Sequence, residues 1–141
     1  MPHDPLETVL RLRRRAVDEC LVALAAGIAA ATAAASIARA AERSITDETE
    51  LASTTYGDDS LVDAFAAWLP AANQRVAQAR AGQDRAEAEV IRCRAELAVC
   101  RTALESIEAL RDQRRATLET ARAAAEQRAL DDHATHPPLS G

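Results

Sequence analysis

A long repeat of apolar and small residues, spaced in alternating steps of three and four, runs through the second half of this 141-residue chain. It starts at Leu69 and continues for roughly eight heptads, with polar interruptions at Gln83, Arg111 and Arg114. Few globular helices keep one register for so long, so the pattern predicts a long coiled-coil helix. The repeat consists of Leu69, Ala72, Val76, Ala79, Ala86, Val90, Cys93, Leu97, Cys100, Leu104, Ile107, Leu118, Ala121 and Ala125.

The composition agrees with an elongated, all-α protein. Hydrophobic residues make up 48% of the chain, but alanine supplies most of them and aromatic residues only 2%. One Phe, one Trp, one Tyr and one Met cannot build a thick globular core. Strong helix formers dominate the rest. We therefore expect residues 1–141 to form a single coiled-coil domain.

An uncharged stretch from Leu21 to Ala38 follows the arginine-rich sequence "RLRRR". It is long enough to cross a membrane, and it also has the order of a signal peptide. Two acidic residues separate it from the arginines, however, and it is rich in Ala rather than Leu. The preferred interpretation is a soluble coiled-coil helix, with a membrane or secreted protein as the alternative. The same three-four spacing passes through it at Leu10, Val17, Leu21, Leu24, Ile28, Ala31, Ala35, Ala38 and Ile45.

The turn-rich stretch "TDETELASTTYGDDS" separates the two repeats. It predicts helix one at about 5–48, a loop at about 49–60, helix two at about 61–131 and a disordered tail at 132–141. Ser60 and Asp63 resemble a capping box at the start of helix two. Pro70 should then kink or restart that helix.

Two helices with one short connection form an antiparallel coiled-coil hairpin. With the loop centred near residue 54, residue i should face position 108 minus i. The start of helix one then lies opposite residue 103. Helix two is therefore predicted to overhang at its C-terminal end, where the repeat becomes rich in arginine.

Residues suited to chemistry are sparse. A net charge of −5 argues against nucleic-acid binding. The histidines fall near the chain ends, and the cysteines occupy or border the repeat, where Cys acts as a small apolar residue. We expect no metal, no cofactor and no enzymatic activity. The residues concerned are His3, His133, His136, Cys20, Cys93 and Cys100.

The order of these segments resembles the flagellar export protein FliJ family. The similarity rests on "DPLETVLRLRRRAVDE", on "LVDAFAAWLPAANQRVAQAR" and on the closing "ALESIEALRDQRRATLETARAAAEQRALDDHA". It implies a cytoplasmic stalk of the flagellar type III export apparatus, peripheral to the inner membrane at the flagellar base. The implied partners are the hexameric export ATPase and the export-gate membrane protein, and in some members substrate chaperones. No nucleic acid and no direct membrane insertion is implied.

The resemblance also implies a site for the export gate on early helix two. Its aromatic, leucine and alanine positions match Phe65, Leu69 and Ala72, and Val76 stands where the family has a histidine. Leu69, Ala72 and Val76 also fit the intramolecular repeat, so core packing is the alternative for these three. Phe65 and Trp68 precede the regular repeat and are hard to bury on a thin hairpin, which favours them as partner contacts.

Arginines supply a second candidate surface. Arg11, Arg13 and Arg15 form either a solvated helical face or a contact with an acidic lining such as a ring pore. Arg111 and Arg114 join them as candidates, because both are predicted to lie on the overhang. The alternative to an export stalk is a generic coiled-coil adaptor or oligomerisation protein.

Overall fold

The fold is an all-α helical hairpin, which confirms the predicted fold class. The computed structural model describes residues 4–54 and 58–135, and no strand occurs within those ranges. Helix α1 runs over Pro5–Thr54 and helix α2 over Asp59–Thr135. The contacts divide into two compact units. Unit 1 comprises Met1–Val17 and Cys100–Gly141, and unit 2 comprises Asp18–Val99.

Both helices begin at an aspartate cap. The Asp4 carboxylate accepts the Leu6 N–H at 3.0 Å, and Pro5 takes the first helical position, where no N–H is needed. The Asp58 carboxylate accepts the Ser60 hydroxyl at 2.6 Å and the Leu61 N–H at 3.4 Å. Asp58 is therefore the cap of α2, and the predicted capping box of Ser60 with Asp63 is not formed.

The turn-rich stretch stays helical for longer than its composition indicates. Helix α1 continues to Thr54 rather than ending near residue 48. The hydroxyls of Thr46, Thr49 and Thr54 each donate to the carbonyl four residues earlier, at 3.3, 2.6 and 2.9 Å. These polar side chains therefore find partners on their own helix and do not interrupt it. The connection between the helices is therefore shorter than the predicted loop at 49–60. Residues 55–57 lie outside the described part of the chain.

Helix α2 also differs from expectation along its length. It passes through Pro70 without a restart and ends at Thr135 rather than near residue 131. Pro70 lies on the exposed side of the helix. Residues 132–135 of the predicted disordered tail, His133 among them, belong to this helix, whereas His3, His136 and the remaining residues 137–141 lie outside the described part of the chain.

Unit 2 is held together by small residues at a close helix approach. Gly27 is buried, and a Cβ added to it would lie 3.7 Å from Val90 Cγ2 and 3.9 Å from Cys93 Sγ. Leu21 and Ile28, predicted in the repeat, are 40% and 43% exposed, whereas Gly27, which the repeat did not include, is buried. The other buried hydrophobic residues of this unit are Ala38, Ala72, Val76, Val90, Cys93 and Leu97.

Unit 1 pairs the start of α1 with the second half of α2. Leu10 is completely buried. Arg14 Nη2 lies 4.0 Å from Glu108 Oε1, and Arg114 Nη1 lies 3.6 Å from Asp4 Oδ1. The start of α1 thus lies opposite Arg114, not opposite residue 103. Arg111 and Arg114 therefore belong to the paired region, and the overhang begins later than predicted.

The last part of α2 has no helix packed against it. Every residue from Asp112 to Thr135 is exposed. Since Arg114 still contacts Asp4, we define the overhang as residues 115–135. Its two leucines, Leu118 and Leu130, are 65% and 64% exposed. The unpaired extension of helix two that was predicted from the arginine-rich seam is thus present.

Helix α1 meets the length and hydropathy criteria for a membrane span. Its most apolar 18-residue window has a mean hydropathy of 2.1, and 6% of that window is buried. Core helices of soluble proteins and signal sequences near an N-terminus meet the same criteria. The criteria alone therefore do not assign α1 to a bilayer.

Candidate partner-binding surfaces

An apolar groove lies where the end of α1 meets the start of α2, within unit 2. It has a volume of about 220 Å³. Helix α1 contributes one acidic, one aliphatic and one small side chain, and α2 contributes the two aromatic ones beside a leucine and an alanine. A groove of this kind suits one or two apolar side chains of a partner. It is lined by Glu48, Leu51, Ala52, Leu61, Ala64, Phe65 and Trp68.

The aromatic pair forms the α2 wall of this groove. The ring centroids of Phe65 and Trp68 are 6.0 Å apart with an interplanar angle of 39°. Because the residues are three apart on one helix, the two rings share a face. Both are half-buried, and the neighbouring Leu51 is 51% exposed. The rings are therefore placed by packing yet keep accessible surface.

The other predicted gate residues follow the same stripe into the core of unit 2. Leu69 is half-buried. Ala72 is 5% exposed and Val76 is 7% exposed. In this conformation Ala72 and Val76 pack between the helices, so the accessible part of the stripe consists of Phe65, Trp68 and Leu69.

Hydrogen bonding at the cap of α2 affects the electrostatics near the groove. The hydroxyl of Ser60, and then the Leu61 N–H, hold the pKa of Asp58 below its ordinary value. Asp58 is thus ionised at neutral pH and adds negative charge beside the groove.

The predicted arginine sites fall into two groups. Arg11, Arg13 and Arg15 are exposed on α1. Arg111 has a side chain 27% exposed, with its Nε 3.4 Å from Asp112 Oδ1, and Arg114 contacts Asp4. Arg114 thus joins α2 to α1 within unit 1, whereas the contact of Arg111 stays on its own helix. The exposed arginines of the overhang are instead Arg115, Arg122 and Arg128. Arg128 was expected there as part of the arginine-rich repeat, whereas Arg115 and Arg122 fall outside the repeat and were missed by sequence reasoning.

The Cys93 region has the chemistry of a structural site. Burial raises the pKa of the Cys93 thiol, and Glu89 raises it further. The nearby Arg92 guanidinium pairs with Glu89 and with Glu96, and this lowers the pKa of Glu89. A protonated, buried thiol is a poor nucleophile. Across residues 4–54 and 58–135, no cluster of His, Cys, Asp and Glu is arranged to hold a metal ion.

Comparison with known proteins gives one family. The family model described as "Flagellar FliJ protein" matches residues 2–138. No curated protein and no solved structure matches the chain. The match spans both helices and includes every residue of the groove and of the two arginine groups.

Proposed function

Because the chain belongs to the flagellar FliJ protein family, we propose that it is a non-enzymatic stalk of the flagellar type III export apparatus. In this role it couples the export ATPase ring to the export-gate membrane protein. Family membership supports a flagellar export-related role, and the two surfaces described above support the finer assignment.

The aromatic groove carries the proposal. Phe65 and Trp68 are the single Phe and the single Trp of the chain, and both lie on the wall of one accessible groove. Aromatic residues held rigidly at a surface are typical centres of protein interfaces. We assign the groove, with Leu69 beside it, to the export gate. Ala72 and Val76 support the helix pair beneath.

The export ATPase is assigned to unit 1. The overhang presents a single helix whose whole circumference is accessible, which suits insertion into a ring. Its arginines, with Arg11, Arg13 and Arg15 on α1, provide charge for an acidic pore lining. Arg111 and Arg114 are not assigned to the ring, since Arg111 contacts the adjacent Asp112 on α2 and Arg114 pairs with Asp4 at the cap of α1.

A bridging assay tests this proposal. The purified ATPase hexamer is immobilised, and the soluble region of the gate protein is added with and without this chain. Gate protein should be retained only when the chain is present. A chain shortened after Arg114 should still bind the gate protein but lose the ring. If the full chain binds neither the immobilised ATPase nor the gate protein, the stalk assignment is contradicted.

Oligomerisation through the overhang is the second candidate function. Leu118 belongs to the apolar repeat of α2, and both Leu118 and Leu130 have most of their surface exposed, at 65% and 64%. A second coiled coil could cover them. Sedimentation equilibrium of the wild type and of Leu118→Gln distinguishes the two functions. A self-associating wild type and a monomeric variant would favour an oligomerisation protein.

The proposal also predicts where the protein lies in the cell. An export stalk works in the cytoplasm, at the inner membrane of the flagellar base. The chain should therefore be recovered in the soluble fraction, or be released from membranes by high salt. Recovery in alkali-washed membranes would show instead that α1 is inserted.

A further inference from the structure

We infer that the aromatic groove binds a partner segment in which the apolar anchor is flanked by basic side chains. The inference rests on the proposed function in taking the groove as a docking site. It goes further by naming the chemistry of what docks there. The acidic residues around the groove support it.

The chain segments on either side of the groove carry acidic and no basic side chains between Arg43 and Arg75. Residues 44–74 contain six acidic side chains and no basic one. One of them, Glu48, lines the groove directly. The others occupy the two helix ends that border it, and each is exposed. They are Asp47, Glu50, Asp58, Asp59 and Asp63.

Helix stability accounts for two of these six acids. Asp58 caps α2, and Asp59 lies in its first turn, where negative charge is favoured by the helix dipole. Asp47, Glu48 and Glu50 lie near the C-terminus of α1, where the dipole favours cations, and the last turn of α1 contains no basic residue. These three acids therefore work against their own helix.

A partner with basic side chains would offset that arrangement. In the free chain, like charges at two adjacent helix ends repel one another around an apolar centre. Lysine or arginine residues beside a docked apolar anchor would relieve the repulsion. They would also speed association and disfavour acidic partners. The groove would then supply the contact area, and the acidic residues would select basic over acidic partners.

Three neutralising substitutions test the acidic contribution. The triple variant Asp47→Asn, Glu48→Gln, Glu50→Gln removes the three acidic charges near the C-terminus of α1, where the helix dipole favours cations. Its helix should be at least as stable as wild type, because the helix-dipole conflict is removed. The matched control Glu119→Gln, Glu126→Gln, Asp132→Asn removes the same charge from the exposed overhang. Circular dichroism verifies that both fold.

Association kinetics with the soluble region of the gate protein give the first measurement. The association rate constant of wild type should fall about tenfold between about 50 mM and about 500 mM NaCl. The fall should be under about twofold for the groove variant. For the overhang control it should be about tenfold, as in wild type. The same salt dependence in all three proteins would overturn the inference.

Two synthetic helical peptides give a measurement that does not involve the gate. They share one apolar face and differ in carrying Lys or Glu beside it, and neither contains Trp. Trp68, the single tryptophan, reports occupancy of the groove by fluorescence. The Lys peptide should bind wild type at least about tenfold more tightly than the Glu peptide, with the preference lost in the groove variant. Equal affinities, or no binding by either peptide, would contradict the inference. If the gate protein fails to bind while the Lys peptide is preferred, only the proposed function fails.

Discussion

Arg80 Nε donates a hydrogen bond to Glu42 Oε1 at 2.7 Å and so joins α2 to α1 within unit 2. The side chains are 64% and 42% exposed, so a pair of this kind contributes less than about 1 kcal/mol. It reports the helix register rather than determining it. In the register predicted from sequence, the residue numbers of two facing residues add up to 108. In the structure they add up to 116 for Ala23 and Cys93 and to 122 for Glu42 and Arg80.

Crosslinking tests this register directly. In a background without Cys20, Cys93 and Cys100, we expect a short bifunctional maleimide to join Glu42→Cys to Arg80→Cys at a yield independent of protein concentration. The pair Glu42→Cys with Ala66→Cys, which the register predicted from sequence would bring together, should not react. Efficient joining of the second pair, or a yield that rises with concentration, would contradict the hairpin described here.

The packing of unit 1 predicts a contrast between two leucines on one helix. Leu10 is completely buried, whereas Leu12 is 59% exposed. Leu10→Ala should lower the free energy of unfolding by about 2–3 kcal/mol, because it removes buried surface and leaves a gap. Leu12→Ala should change it by less than about 0.5 kcal/mol. Urea unfolding followed by circular dichroism measures both, and equal losses would be inconsistent with this core.

Gly27 predicts a stabilising substitution. An alanine Cβ there would make ordinary contacts, at 3.7 Å to Val90 and 3.9 Å to Cys93. Gly27→Ala should therefore raise the free energy of unfolding by about 0.5–1 kcal/mol, since Ala loses less backbone entropy in a helix. Gly27→Leu should lower it by about 1–3 kcal/mol through overpacking. Destabilisation by both substitutions would show that the helices approach more closely than described.

The cap of α2 predicts a pH effect. The folded-state pKa of Asp58 is lowered from the model-compound value of 3.8, first by the Ser60 hydroxyl. Its contribution to stability is thus complete above the unfolded-state pKa and is lost as the pH falls through the lower, folded-state value. An NMR titration of the Asp58 carboxyl should give a pKa below 3.8, and Ser60→Ala should raise it. An identical pKa in the two proteins would exclude the hydrogen bond as the cause.

The repeat predicted from sequence was most accurate where large apolar residues carry it. Val90, Cys93 and Leu97 were expected in the seam and are buried. Gly27 was missed because a glycine gives no hydrophobic signal, even where it is buried against Val90 and Cys93. Leu21 and Ile28, which were expected in the seam, are partly exposed.

The register was beyond sequence reasoning for a physical reason. A heptad pattern that consists largely of alanine looks the same after a shift of one heptad, so periodicity alone does not select the pairing. The predicted pairing of the two helices therefore depended on where the turn was placed. Thr46, Thr49 and Thr54 look like turn residues in the sequence, but their hydroxyls donate to carbonyls of their own helix, so the turn was placed too early. The error then moved the expected overhang onto Arg111 and Arg114.

The affinity of Phe65→Ala for the soluble region of the export-gate protein tests the central claim most directly, with Val62→Ala as the matched control. Val62 lies on the same turn of α2, is 49% exposed and does not line the groove. Calorimetric titration should show Phe65→Ala binding at least about tenfold more weakly, about 1.4 kcal/mol, while Val62→Ala stays within about twofold of wild type. Circular dichroism should show both variants folded. A folded Phe65→Ala protein that binds the gate with wild-type affinity would contradict the assignment of the groove.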